Sequence, residues 1–182
     1  MDNTERKKQA DEFLYKLGLL NKLKEYGEPH IVGSYCMDMM AWNDLDIYIL
    51  NKNMSLEKLH ELSQYIISTY KPFWYLAKQE TGEDKKIVWF HGFETTITGE
   101  LWNFDFWFFD EDEILKAKNY YIGINEKTSK NPALKKAITS IKQELIKRGQ
   151  YEHGQYTSID VYNAVLEHGV KTIDEFFIHC SK

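Results

Sequence analysis

The stretch Leu101-Trp102-Asn103-Phe104-Asp105-Phe106-Trp107-Phe108-Phe109 limits what this chain can become. Rings of this density suit a pleated, half-buried surface, and a strand sends alternate residues to opposite faces. Half of the rings must therefore face a core, while Asp105 and Trp107 share the other face. A carboxylate between Phe104 and Phe106 loses hydration, which is costly unless a charge or hydrogen bonds compensate. The run Asp110-Glu111-Asp112-Glu113 then breaks the composition abruptly, and everything beyond it carries helical patterning. The expectation is an α+β chain, with an α/β part over 1–112 and a helical segment over 113–182.

Other elements follow from periodicity. Apolar residues at helical spacing predict a helix over Asp11–Tyr26, stopped by Gly27. Pro29 introduces a short apolar strand at Ile31-Val32, which ends at Gly33-Ser34. Residues 35–42 leave room for two helical turns at most. Leu45–Leu50 reads as a strand, and Ser55–Tyr70 as an amphipathic helix with Ser55 as its N-cap. A polar, Lys-rich loop is expected next, then two strands, Ile87–Phe93 and Thr95–Phe109. In the tail, Asn131-Pro132 marks a helix start over Pro132–Arg148, and Ser158–Glu167 and Thr172–His179 read as shorter helices.

Composition excludes some functions. The chain has 182 residues, 23 Lys+Arg against 28 Asp+Glu, and a formal charge of -5. Of the basic residues only Arg6 and Arg148 are arginine, the side chain best shaped for gripping phosphates and guanine edges. Holding nucleic acid mainly by charge is therefore disfavoured. Cys36 and Cys180 match no metal or redox spacing and read as free thiols. The charged N-terminus lacks the apolar core of a signal peptide, and no apolar run is long enough to span a bilayer, so a cytoplasmic protein is expected.

The chemistry gathers on three short segments. Gly33-Ser34 follows a strand, and glycine lets the backbone approach a phosphate while serine offers a hydroxyl and an N–H. Asp44 and Asp46 open the next strand and point the same way. Paired carboxylates repel unless a cation lies between them, and hard oxygen ligands suit Mg²⁺. If the Asp105 strand lies beside them, three carboxylates converge, as a two-metal phosphoryl-transfer site requires.

The pattern Ile31-Val32-Gly33-Ser34, then Asp44-Leu45-Asp46-Ile47, then Phe104-Asp105-Phe106 resembles the nucleotidyltransferase superfamily typified by DNA polymerase beta. Chain length and the helical tail are similar to the small antibiotic nucleotidyltransferases of the lincosamide and aminoglycoside type, where Asp38 matches a shared helix residue. The chain departs from the wider family in lacking an Arg and a Gly soon after Gly33-Ser34, and in carrying Asn43 where Ser is frequent. The resemblance implies a mixed sheet flanked by helices, and transfer of a nucleoside monophosphate from an NTP to a hydroxyl of a small molecule. Asp44 and Asp46 would bind two Mg²⁺ ions, Asp105 would bind one of them and serve the acceptor hydroxyl, and Gly33 and Ser34 would hold phosphates. Two further classes stay open: a catalytically silent nucleotide- or protein-binding member, and an antitoxin-type enzyme that nucleotidylylates a protein. Transfer to RNA ranks below these on charge.

Several residues carry a structural alternative. The aromatics Phe73-Trp74-Tyr75 and most of 102–109 are read as packing, with Trp107 as the exception because it shares the Asp105 face. His153 and His168 are read as surface residues. Lys135, Lys136 and Lys142 could reach a triphosphate, but a solvated helical face is favoured. Glu94, Glu100 and Asp110 are unranked candidates for a base.

Overall fold

A computed structural model describes residues 1–82, 86–97, 99–151 and 155–181; His153 lies outside them. Five strands form one mixed sheet: β1 (Glu28–Ile31), β2 (Asp44–Leu50), β3 (Trp74–Thr81), β4 (Ile87–Ile97) and β5 (Glu100–Phe109). Their order is β1-β2-β5-β4-β3. β2 and β5 run parallel, and all other pairs are antiparallel. Register sets Asp46 opposite Asp105, and Gly92 opposite Asp105 on its other side.

One face of the sheet is dry. Leu45, Ile47 and Ile49 of β2 and Phe104, Phe106 and Phe108 of β5 are fully buried there. Phe93 of β4 stacks on Phe104, with centroids 4.6 Å apart and planes 8° apart. Full burial of such side chains contributes roughly 1.5–3 kcal/mol each. Helices supply the lid of this core. They are α1 (Asn3–Asp11), which widens into a π-helical turn over Glu12–Lys16, then α2 (Leu19–Leu23), and, beyond the four-residue turn of α3 (Gly33–Cys36) and strand β2, α4 (Leu56–Tyr70). Phe13, Leu14, Leu23, Leu62 and Ile66 pack into the same cluster.

The tail folds as four helices: α5 (Glu111–Lys130), α6 (Pro132–Lys147), α7 (Ser158–His168) and α8 (Ile173–Cys180). Each start has a capping side chain: Asp110, Asn131, Thr157 and Thr172. Their apolar stripes make a second cluster around Ile138, Ile141, Leu145, Val161 and Phe176. Met37 and Met39, from the loop after α3, belong to this helical cluster rather than to the sheet core. No helix among the described residues is long and apolar enough to cross a membrane. Cys36 and Cys180 carry free thiols.

Four sequence expectations change. The helix expected over Asp11–Tyr26 starts earlier and breaks at Gly18, whose φ of 78° ends one segment and begins the next. Trp74–Thr81, expected as loop, is strand β3; it lies at a sheet edge, where pairing on one side leaves little alternation to read. The strand expected over Thr95–Phe109 is two strands, because the chain reverses at Gly99, with φ of 84°. Asp38, matched to a helix residue, lies just beyond the end of α3 with φ of 55°.

Candidate active site

The other face of the sheet carries the carboxylates. Asp44 and Asp46 alternate with the buried residues of β2, and Asp105 does the same on β5. Because β2 and β5 are parallel neighbours in register, the three acids meet: each offers an oxygen, and these lie within 4.8 Å of one another. Asn103, two residues before Asp105 on the same face, donates to Asp44 Oδ1 at 2.8 Å and to Asp105 Oδ2 at 3.4 Å. This amide link was not foreseen, although its position at i−2 on the acid's own face was visible in the sequence.

Like charges this close raise each other's energy, so the site has the character of a cation receptor. The donor set fits a hard divalent ion such as Mg²⁺: three carboxylates, all half-buried and all oxygen. Gly33 adds a second fit. Its φ is 71°, and a Cβ built there would collide with Oδ2 of Asp46, so only glycine lets this turn approach the acid. Ser34 follows it and lines the same cleft.

A second wall faces the acids. The cleft that holds Gly33, Ser34, Asp44 and Asp46 is closed by Tyr121 of α5, Lys142 of α6, and Ser158 and Tyr162 of α7. Lys142 is 1% exposed, so the solvated helical face expected for it is wrong. Its ammonium donates to Tyr162 Oη at 2.8 Å and Ser158 Oγ at 3.1 Å, and lies 4.2 Å from the Tyr162 ring centroid. Lys135 does reach an acid, Asp38, at 3.2 Å, and Lys136 is exposed. Burial, and next the charge of Asp46, hold the Tyr121 and Tyr162 phenols above their ordinary range. The field of the acid therefore reaches α5 and α7 together. Burial and then Asp46 likewise push the Tyr48 phenol up to about 12.

The two arginines are spent elsewhere. Arg6 donates from Nε to Asn43 Oδ1 at 3.1 Å, and Asn43 in turn donates to the Leu101 carbonyl at 2.8 Å. Arg148 lies over the Phe177 ring, 5.2 Å from its centroid. Lys142 is the cationic side chain among the described residues that line the cleft.

The remaining candidates separate. Trp107 stays on the acid face, 4.4 Å from Phe90 and parallel to Phe109 within 4°. Trp102 faces the opposite core. Asp110 caps α5 and pairs with Lys86, so it is a structural acid. Glu94 stands opposite Asn103 across β4 and β5, and Glu100 is exposed at the hairpin. His168 is exposed, and its ring lies tilted against that of His179 with centroids 4.4 Å apart.

No protein-family model matches the sequence, and no curated protein matches it either. Solved structures do match in fold. A cytoplasmic RNA terminal U-transferase aligns with a TM-score of 0.52 and 17% identity over 87% of this chain. The Cid1 poly(U) polymerase aligns with a TM-score of 0.57 and 14% identity over 87% of this chain. The poly(A) polymerase of the GLD-2–GLD-3 complex gives 0.53 and 14% over 95%. The chain spans 48%, 49% and 61% of those three chains. At this identity the likeness shows the fold, which is of the nucleotidyltransferase type, with a five-stranded mixed sheet flanked by helices. The neighbours are a terminal U-transferase, a poly(U) polymerase and a poly(A) polymerase, and a likeness to the small antibiotic enzymes is not shown among them.

Proposed function

We propose that the chain is a metal-dependent nucleotidyltransferase that moves a nucleoside monophosphate from an NTP to a hydroxyl, releasing pyrophosphate. The observation that carries this is the convergence of Asp44, Asp46 and Asp105, with Asp44 and Asp46 lining one cleft together with the buried Lys142. Two oppositely charged walls across one cleft suit a substrate that is anionic at one end and has a metal-bound reacting centre at the other. In this arrangement residues 1–112 provide the acids and the helical segment 113–182 provides the opposing wall.

Asp44, Asp46 and Asp105 would hold divalent cations, two Mg²⁺ in the fullest form. A cation there supplies charge neutralisation at the reacting phosphorus and favours the ionised hydroxyl. The chain's own groups do the rest. Lys142 and the Ser158 hydroxyl bind the outer phosphates, joined by Ser34 and the backbone N–H groups at the turn of Gly33. Asp105 orients the acceptor hydroxyl and takes up its proton. The acceptor oxygen bonds to the α-phosphorus, the bond to the β-phosphate oxygen breaks, and pyrophosphate departs with its charge held by Lys142. Tyr121 and Tyr162 narrow the cleft and exclude water.

For the acceptor, a small hydroxyl-bearing molecule accords with the net charge of -5 and with arginines engaged away from the cleft. An RNA 3′ end is a second possibility, favoured by the terminal U-transferase, poly(U) polymerase and poly(A) polymerase activities of the three solved neighbours. Incubation with each labelled NTP and Mg²⁺, alongside pools of small hydroxylated acceptors and short oligoribonucleotides, decides between them. Label on a small acceptor supports the first, label on RNA replaces it with the second, and no pyrophosphate from any pairing removes the enzyme assignment.

A further inference from the structure

We infer that Asp38 is a positioning residue, which ties the helical wall of the cleft to the sheet wall and through Lys135 sets where Lys142 stands. This rests on Lys142 being a phosphate-holding group.

The loop after α3 is the seam between the two cores. Met37 and Met39 are fully buried in the helical cluster, while Met40 is buried in the sheet core. Asp38 stands between them in the left-handed region, φ 55°, a conformation that costs a non-glycine residue free energy and persists only when its surroundings enforce it. Those surroundings are specific. Its N–H donates to the Tyr35 carbonyl at 3.1 Å, and the Met39 N–H donates to the Ser34 carbonyl at 2.9 Å. From α1, Asn3 donates to Asp38 Oδ1 at 2.8 Å and accepts from the Met40 N–H at 2.8 Å. The Asp38 carboxylate then meets Lys135 at 3.2 Å and Lys7 at 3.6 Å.

The geometry of α6 carries this outward. Lys135, Ile138 and Lys142 lie three and seven positions apart, so they share one face over about 10 Å of helix. Ile138 is fully buried in the cluster that takes Met37 and Met39. One end of that face is thus held by Asp38, and the other presents Lys142 to the cleft. The segment that fixes α6 is also the one that bonds back to Ser34, so both phosphate-holding sides share one anchor. Burial works against the Asp38 charge, yet the hydrogen bonds of Asn3 and Lys135 and the lysine charges hold its carboxyl below the ordinary range. An exposed ion pair adds little to global stability, which leaves position as its main effect.

The test is calorimetric titration with Mg²⁺ and whichever of ATP, GTP, CTP and UTP binds the wild type most tightly. The variants are Asp38→Asn, Lys135→Gln, the double variant, and Lys7→Gln for comparison. Asparagine tolerates the left-handed region and keeps the Asn3 contact. The expected result is a Kd raised about three- to fivefold in each of the first two, no further rise in the double variant, little change in Lys7→Gln, and unchanged Tm throughout. Wild-type affinity in Asp38→Asn and Lys135→Gln, additive losses in the double variant, or losses that only track a fall in Tm would overturn the inference while leaving the nucleotide site standing. A wild type that binds no NTP would overturn both.

Discussion

The two walls of the cleft are built on different principles. The acid wall is a sheet surface: Asp44, Asp46 and Asp105 are set by strand alternation and by one register, Asp46 opposite Asp105. The cationic wall is assembled from three helices, with Lys142 from α6, Ser158 and Tyr162 from α7, and Tyr121 from α5. A sheet fixes its side chains through backbone hydrogen bonds, whereas the helices fix theirs through packing and the seam around Met37 and Met39. The acid wall should thus tolerate changes in packing and fail on loss of charge, and the cationic wall should respond to both.

The largest expected effect is on the acid wall. Asp46→Asn should lower turnover by about a hundredfold or more, since it removes charge at the reacting centre without changing volume. Its Tm should stay close to wild type, because the isosteric change keeps the packing and strand pairing of β2. Turnover and thermal melting together check this, and an active variant would break the assignment. On the opposite wall, Lys142→Met should lower kcat/KM by roughly tenfold to a hundredfold, consistent with one charge-assisted contact. Removing one member of a buried polar network takes a hydrogen bond from its partners Tyr162 and Ser158 and lowers Tm in itself. The kcat/KM is therefore read well below the melting temperature of the variant, and unchanged kcat/KM there would show that Lys142 is structural.

A smaller contrast separates turn strain from site geometry. Gly33→Ala and Gly99→Ala both place a side chain at positive φ, at 71° and 84°. Each should lose roughly 1–2 kcal/mol from the backbone alone. Nothing lies within 4 Å of a Cβ at Gly99, whereas at Gly33 it meets Asp46. Chemical unfolding should therefore show Gly33→Ala as the more destabilised, and only that variant should lose activity. Equal behaviour would mean the turn does not press on the acid.

The dry face of the sheet offers the last comparison. His91 is fully buried and pushed down to about 3 by desolvation. Tyr75 Oη donates to Ser63 Oγ at 2.6 Å and so accepts at 2.9 Å from His91 Nδ1–H, while burial, with no hydrogen-bond partner for Nε2 among the described residues, keeps the ring neutral. Since the unfolded chain binds a proton near pH 6.5 and the folded chain does not, stability falls as pH drops from about 6.5 toward 3. The loss should be about 2 kcal/mol between pH 7 and pH 5, read from urea midpoints. His91→Phe should flatten that slope while leaving nucleotide binding at pH 7 unchanged.

The same difference explains what the sequence disclosed. Asp105 among rings and Asp44-Leu45-Asp46 at a strand start were legible, because an acid on a half-buried strand violates a local preference. Lys142 violates none: lysines at 135, 136, 142 and 147 all suit an exposed helix, and only tertiary packing buries one of them. Ser158 and Tyr162 were hidden for the same reason, their helix being predicted but not its direction. Edge strand β3 carried too little alternation to be read, and the turns at Gly18 and Gly99 depend on positive φ at glycines that pattern alone did not separate.

The central claim, one cleft with two walls that bind an NTP through divalent metal, is tested most directly by thermal shift. Wild type and Asp44→Asn are melted with each of the four NTPs, with and without Mg²⁺. The account predicts stabilisation by at least one NTP only when Mg²⁺ is present, and its loss in Asp44→Asn. Stabilisation that is independent of Mg²⁺, or that survives in Asp44→Asn, or no stabilisation by any NTP, would contradict it.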